Sequence, residues 1–226
     1  MVKFIAGIDE AGKGPLIGPL VICVAAIGEH GEQLLIDFGV TDSKLLSEKQ
    51  REEIFKNIEH ELKYELVIIH PEEIDKAVLD KKYNLNWLEA DHGAALLNKL
   101  DVKLDNEIIK TIIDCPSPNI NAYKKYFSEK VDNKEIELIV EHKADLNWRI
   151  VGASSIIAKI TREIEIEKMK KKLHIDFGSG YPSDPKTKKF VKENYDNPKY
   201  SAIFRKSWAT YKVFIERKKQ SKLEEY

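Results

Sequence analysis

Cysteine is scarce: Cys23 and Cys115 are the only two among 226 residues. Two thiols cannot build a disulfide framework, and no CxxC or Cys/His cluster accompanies them to mark a zinc site. Both lie in or beside apolar, strand-like runs, where a reduced buried thiol is expected. Long apolar stretches are also missing. The longest, residues 20–27, falls far short of the roughly 20 residues that span a bilayer. Asp9 and Glu10 interrupt the N-terminal apolar run before it could act as a secretory leader. A membrane-spanning chain is thereby excluded and a cytoplasmic location expected. Internal repeats, low-complexity tracts and a long linker are absent too, so the length reads as one large domain, or one domain with a small appendage.

What is present is charge with almost no net sign. Charged residues make up 33% of the chain, yet the net charge is −1. The charges interleave with Ile, Leu and Val on helical spacings, and 42% of the residues are apolar, which argues against wholesale disorder. The balance is uneven along the chain. Residues 159–226 carry 18 Lys or Arg against 10 Asp or Glu, and residues 1–158 carry 19 against 28. A basic C-terminal third beside an acidic remainder suits a polyanion held near carboxylates; Lys-rich solvated helix faces would give the same numbers.

The apolar periodicities predict strands over 3–9, 20–27, 64–69, 108–114 and 136–140. Helices are predicted from the capping pattern at Ser47 (SEKQ) to about residue 62, from Pro71, over 86–100, 119–130 and 151–173, from Asp184-Pro185 to about 195, and over 208–219. Strands come first and then alternate with helices, which predicts an α/β fold with a mixed sheet.

The chemical signal is where the acids fall. Asp9 and Glu10 directly follow the apolar run FIAGI, Asp114 ends IIKTII, and Asp145 lies in EHKAD between a strand and the longest helix. A carboxylate at the end of a buried strand is costly unless something positive neutralises it, and strand ends are where ligands collect in open sheets. Four such acids in one place would need divalent cations, and hard oxygen ligands select Mg2+ or Mn2+. The six histidines show no shared ligand spacing. Residues 7–13 nearly match a phosphate-binding P-loop, but Gly14 stands where Ser or Thr would hold the metal, and Asp9 and Glu10 would repel a triphosphate. Gly12-Lys13-Gly14 reads better as backbone that can approach a ligand closely. A second glycine-rich stretch, residues 178–185 (GSGYPSDP), presents Tyr181 on a stiffened loop, where the ring can stack on a sugar or base or pack on the domain.

Taken together, these segments resemble the type 2 ribonucleases H, specifically ribonuclease HII of the archaeal and eukaryotic kind. The resemblance is carried by GIDEAGKGPLIGPLV (7–21), TDSKLLSEKQR (41–51), the Asp114 strand end, EHKAD (141–145), VGASSIIAKITRE (151–163), GSGYPSDPKT (178–187) and RKSW (205–208), in the family's order over nearly the whole chain. It implies a ribonuclease H-like fold, a mixed five-stranded sheet flanked by helices with a small helical C-terminal part: a catalytic domain over residues 1–175 and a substrate-binding extension over 176–226. It implies cleavage of the RNA strand of RNA–DNA hybrids, and of single ribonucleotides embedded in duplex DNA, leaving 3′-hydroxyl and 5′-phosphate ends with two Mg2+ or Mn2+ ions. The catalytic and metal-holding acids would be Asp9, Glu10, Asp114 and Asp145. Gly12, Lys13 and Gly14 would meet the ribose 2′-hydroxyl and Tyr181 the junction, with Lys44, Lys159, Arg162 and Arg205 as phosphate contacts. Lys13 stands where the family has Arg, VGASS where it has VSAAS, and Arg162-Glu163 where it has Arg-Asp. The C-terminal residues Gln220–Tyr226 resemble a sliding-clamp-binding tail lacking its last aromatic, and a monomer is expected. Two other classes remain at this point: a hybrid-binding protein without catalysis and a P-loop-like nucleotidase.

Overall fold

The computed structural model describes residues 2–213, 215 and 216. Five strands, β1 (Phe4–Ala11), β2 (Leu20–Gly28), β3 (Lys63–Ile69), β4 (Ile108–Asp114) and β5 (Glu137–Glu141), form one sheet in the order β3-β2-β1-β4-β5. β1 runs antiparallel to β2 and parallel to β4, which is parallel to β5. The helices are α1 (Glu32–Asp37), α2 (Glu48–Ile58), α3 (Pro71–Leu79), α4 (Leu85–Lys103), α5 (Ile120–Lys130), α6 (Ala144–Asn147), α7 (Arg149–Leu173) and α8 (Pro185–Asn194), followed by a 3-10 turn at Pro198–Ile203. The parallel pairs are joined through helices, as parallel strands require. This is the mixed, helix-flanked sheet expected from the sequence.

Local signals hold where the residues carry them. Ser47 and Gln50 form a reciprocal capping box at α2, Asn119 caps α5, and Asp184 with Pro185 opens α8. Two short helices, α1 and α6, were not foreseen; neither has a side-chain cap. β1 runs two residues further than its apolar pattern, because Asp9, Glu10 and Ala11 still pair with Cys23, Ile22 and Val21. This also removes the P-loop reading: the stretch that would have to cradle phosphate is strand, and the next regular element is another strand rather than a helix. Of the helix expected over 208–219, residues 209–213, 215 and 216 are helical and the rest lie outside the described residues.

The chain forms two compact units. The first comprises β1, residues 21–67 and residues 86–161. Alternation along β1 sets its two faces. Gly7 lies against α7, where an added Cβ would come within 2.6 Å of the Ile150 and Val151 backbone, and Ser154 Oγ donates to the Gly7 carbonyl at 2.9 Å. Ile8, on the other face, approaches α4 beside Phe127 of α5. The same alternation sends Asp9 toward α7 and Glu10 toward α4 and α5.

The second unit is more than the C-terminal segment: it also takes in residues 12–20 and 68–85. Its core joins Leu16 and Ile17 to Ile166, Phe177, Phe190, Tyr200, Phe204 and Tyr211. Phe190 sits at its centre, 5.1 Å from the Tyr200 ring and 5.8 Å from Phe177, centroid to centroid. The Gly180 carbonyl accepts from the Leu16 N–H at 2.8 Å, and Gly180 holds φ at 85°. A side chain there would meet the Ile17 carbonyl oxygen at 2.6 Å, so only glycine fits.

Candidate active site

Asp9, Asp114 and Asp145 each offer a carboxylate oxygen to one cluster, all of these atoms lying within 4.8 Å of one another. Topology brings them together. β1 and β4 run parallel with Ile8 opposite Ile113, so the next residues, Asp9 and Asp114, emerge side by side. Asp145 follows β5 through Lys143, which holds a left-handed φ of 59° and turns the chain so that the Ala144 N–H donates to Asp114 Oδ1 at 3.1 Å. Asp145 is wholly buried and Asp9 is 5% exposed.

Three carboxyls this close and this dry cannot all carry charge unaided. Burial first, and then Asp114 and Asp145, push the Asp9 carboxyl up to about 7, against the downward pull of a Ser155 hydrogen bond and the Glu10 backbone N–H. Burial likewise raises Asp114, opposed by the Ala144 N–H and reinforced by Asp145. Asp145 Oδ2 pairs with Lys44 Nζ at 3.3 Å, while its Oδ1 is buried with no hydrogen-bond partner among the described residues. Burial would depress the Lys44 ammonium; Asp145, with Asp9 and Asp42, more than offsets that and raises it. An orphaned buried carboxylate oxygen inside an all-oxygen acidic cluster fits a hard divalent cation such as Mg2+ or Mn2+.

Of the four acids expected to meet, Glu10 stands apart from this cluster. It gives its backbone N–H to Asp9 Oδ1 at 2.7 Å. Its side chain leaves the other face of β1, where burial first, and then Glu89 and Glu10, drive the Tyr123 phenol well above its usual range. Lys159 joins the Asp9 side, its Nζ bonded to Ser43 Oγ. Ser43 and Ser155, bonded to each other at 2.7 Å, are site residues that sequence reasoning passed over. The available signal was polarity out of place, since Ser154 and Ser155 interrupt an α7 stretch of buried Ile, Val, Ala and Gly.

The remaining expected residues belong to the second unit. Gly12 adopts a φ of 90°, and a Cβ there would strike Arg162. The Lys13 carbonyl accepts from Arg205 Nη1 at 2.9 Å and the Gly14 carbonyl from Trp208 Nε1 at 3.3 Å. Arg162 and Arg205, expected to contact phosphate, are instead buried inside the unit. Arg205 also donates to the Gly18 carbonyl. Arg162 donates to the carbonyls of Ile17, Pro19 and Ser179, and its guanidinium lies 4.9 Å from the Tyr181 ring centroid. A guanidinium committed to backbone carbonyls cannot reach a phosphate without giving them up. Tyr181 itself remains 37% exposed. Gln220–Tyr226 lie outside the described residues. Among the described residues, no helix is long and apolar enough to cross a membrane.

Residues 6–211 match the family model described as ribonuclease HII. A curated ribonuclease HII from Methanococcus maripaludis strain C5 is 46% identical over 223 residues, covering 98% of this chain and 91% of its own. Among solved structures, ribonuclease H2 from Pyrococcus horikoshii OT3 is 41% identical with a TM-score of 0.82, over 95% of this chain and 98% of that one. A chain in the PCNA:RNase HII complex from Archaeoglobus fulgidus is 35% identical with a TM-score of 0.77, over 91% of this chain and 95% of that one.

The raised Asp9 carboxyl has a consequence for stability. A group whose folded value, about 7, lies above its ordinary 3.8 binds its proton more tightly when folded. Its contribution to stability therefore declines as pH rises between those two values. Asp9→Asn removes the charge. With chelator present, the variant is expected to melt above the wild type by a larger margin at about pH 8 than at about pH 4. Equal margins at both would show that Asp9 is not the strained group.

Proposed function

Because the chain belongs to the ribonuclease HII family, whose members hydrolyse RNA in RNA–DNA hybrids, we propose that it cuts such hybrids, and single ribonucleotides within duplex DNA, at the carboxylate cluster. The observation that carries this reading is the cluster itself: three converging acids, one with a buried oxygen that lacks a partner among the described residues.

Asp9, Asp114 and Asp145 hold two Mg2+ or Mn2+ ions, with Glu10 supplying the fourth carboxylate from the other face of β1. When bound, such ions make water nucleophilic near neutral pH and offset the charge that develops on the leaving oxygen. Lys44, paired with Asp145 and mostly solvent-exposed, can turn to a non-bridging phosphate oxygen. Lys159 adds a second positive charge on the Asp9 side. No protein nucleophile is required. Cleavage on the 5′ side of the ribonucleotide leaves 3′-hydroxyl and 5′-phosphate ends. The 2′-hydroxyl is the feature that separates ribose from its deoxy neighbour, and backbone groups of Gly12, Lys13 and Gly14 read it without regard to base. Tyr181 stacks on the deoxyribose that follows, where an extra hydroxyl would crowd the ring. Residues 176–226 serve as the substrate-binding extension of a catalytic domain over residues 1–175, and the enzyme works in the cytoplasm. Gln220–Tyr226 dock on a sliding clamp, a reading supported by the relative solved with PCNA.

Asp114→Asn is expected to lower hybrid cleavage by at least about a hundredfold with the fold intact by circular dichroism; turnover like that of the wild type would remove Asp114 from the site. Tyr181→Ala is expected to weaken cleavage at a single embedded ribonucleotide more than cleavage of a long hybrid. Equal losses on both substrates would deny the ring a junction role. Deleting residues 220–226 is expected to abolish binding to a sliding clamp measured by calorimetry; unchanged affinity would retire that proposal.

A further inference from the structure

Four backbone carbonyls of the segment between β1 and β2 are held by one short stretch, residues 205–208. Arg205 donates from Nη1 to the Lys13 carbonyl at 2.9 Å, from Nε to Gly18 at 3.0 Å and from its own backbone N–H to Leu16 at 2.9 Å. Trp208 Nε1 donates to the Gly14 carbonyl at 3.3 Å. The two side chains also meet each other, the Arg205 guanidinium lying 5.0 Å from the Trp208 ring centroid. Asp75 of α3 fixes the residues between them. Its carboxylate accepts from the Lys206 and Ser207 N–H groups at 2.8 and 2.9 Å and from Ser207 Oγ at 2.6 Å. Every one of these residues belongs to the second unit.

Peptide geometry turns this clamp into an orientation for Gly12-Lys13-Gly14. In a trans peptide the C=O and the N–H point opposite ways. With the Lys13 carbonyl turned onto Arg205, the Gly14 N–H points away from Arg205. The following peptide has no N–H, because residue 15 is proline, and its carbonyl is taken by Trp208. Gly14 is exposed, and a Cβ built on it meets nothing within 4 Å. The turn thus shows a donor on its open side and keeps two acceptors inward, an arrangement that suits a ligand oxygen able to accept. A ribose 2′-hydroxyl supplies such an oxygen, and a deoxyribose supplies none.

We propose that Arg205 and Trp208 are positioning residues that set ribose selectivity: by holding the Lys13 and Gly14 carbonyls inward, they keep the turn in the one orientation that offers its N–H side to a 2′-hydroxyl. A turn whose peptides could flip would present carbonyl and N–H alternately and would have to be ordered at the moment of binding. The inference rests on the reading above, in which this turn meets the ribose. It gives buried Arg205 a role exerted through backbone rather than through phosphate.

Trp208→Phe keeps a ring beside Arg205 and removes only the indole N–H. Binding is measured by fluorescence anisotropy on a duplex carrying one ribonucleotide and on the same duplex made wholly of DNA, with chelator present so that the strand stays intact. The wild type is expected to prefer the ribonucleotide duplex. Trp208→Phe is expected to cut that preference about fivefold, the scale of one neutral hydrogen bond. Arg205→Lys keeps the charge but loses the planar fork that reaches Lys13 and Gly18 together, and is expected to cut it by at least about tenfold. Affinity for the all-DNA duplex holds at the wild-type value in Trp208→Phe, which a general loss of structure would not allow. Wild-type preference in Trp208→Phe, or equal losses on both duplexes, would overturn the proposal; Arg205→Lys decides it where Trp208→Phe fails to fold. Gly14→Ala separates the proposal from the reading beneath it, since the added methyl enters open space in the free protein but stands between the turn and a ribose. If Gly14→Ala loses the preference while Trp208→Phe keeps it, the positioning role alone falls. If Gly14→Ala discriminates like the wild type, or the wild type does not discriminate, the ribose reading of the turn falls and takes the positioning role with it.

Discussion

Repulsion among Asp9, Asp114 and Asp145 is the constraint to which the first unit answers. Like charges a few ångströms apart in a medium of low dielectric repel by several kcal/mol, and burial adds to the cost of charging them. Nothing about stability alone would place them so. The parallel pairing of β1 with β4 and the left-handed turn at Lys143 nevertheless force all three to one end of the sheet. Around them the unit has gathered partial compensation. The Glu10 and Ala144 N–H groups donate to Asp9 and Asp114, and Lys44 pairs with Asp145. The compensation is incomplete, since one buried Asp145 oxygen has no partner among the described residues. A site stabilised in part and left short of positive charge is one prepared to take up cations.

The second unit handles charge in the opposite way. Arg162 and Arg205 are buried and donate to backbone carbonyls. A guanidinium has five donors in a rigid fork, so one side chain can tie several loop segments at once. Arg162 joins the segment after Gly12 to the glycine-rich loop and also lies beneath the Tyr181 ring. Arg205 holds the turn around Lys13. Both loops expected to meet substrate are thus stiffened from within, which lowers the entropy lost when they bind.

Much of this could be read from the chain. Asp9 and Asp114 stood out because each ends an apolar run, where a charge has few structural explanations, and Asp145 because it lies between a strand and the longest helix. Ser47, Asn119 and Asp184 announced their helices because capping is local chemistry. Arg162 and Arg205 misled, because a basic residue in a basic segment looks solvated whether it faces water or a ring of carbonyls. Glu10 was harder to place for a different reason. Adjacency to Asp9 in sequence suggests a shared site, but adjacent residues in a strand leave opposite faces. Ser43 and Ser155 gave little signal, because a serine takes its meaning from its partner, and theirs lie far away in sequence.

The order of strands and helices, the reduced thiols, and the acids at strand ends were settled by composition, periodicity and local capping, all of which act over a few residues. Which carboxylates meet and which face each leaves were settled only when β1 and β4 paired and α7 packed against Gly7, and which arginines turn inward only when residues 13–19 came to lie against Arg162 and Arg205. Those outcomes depend on contacts between segments more than a hundred residues apart, and no short-range pattern encodes them.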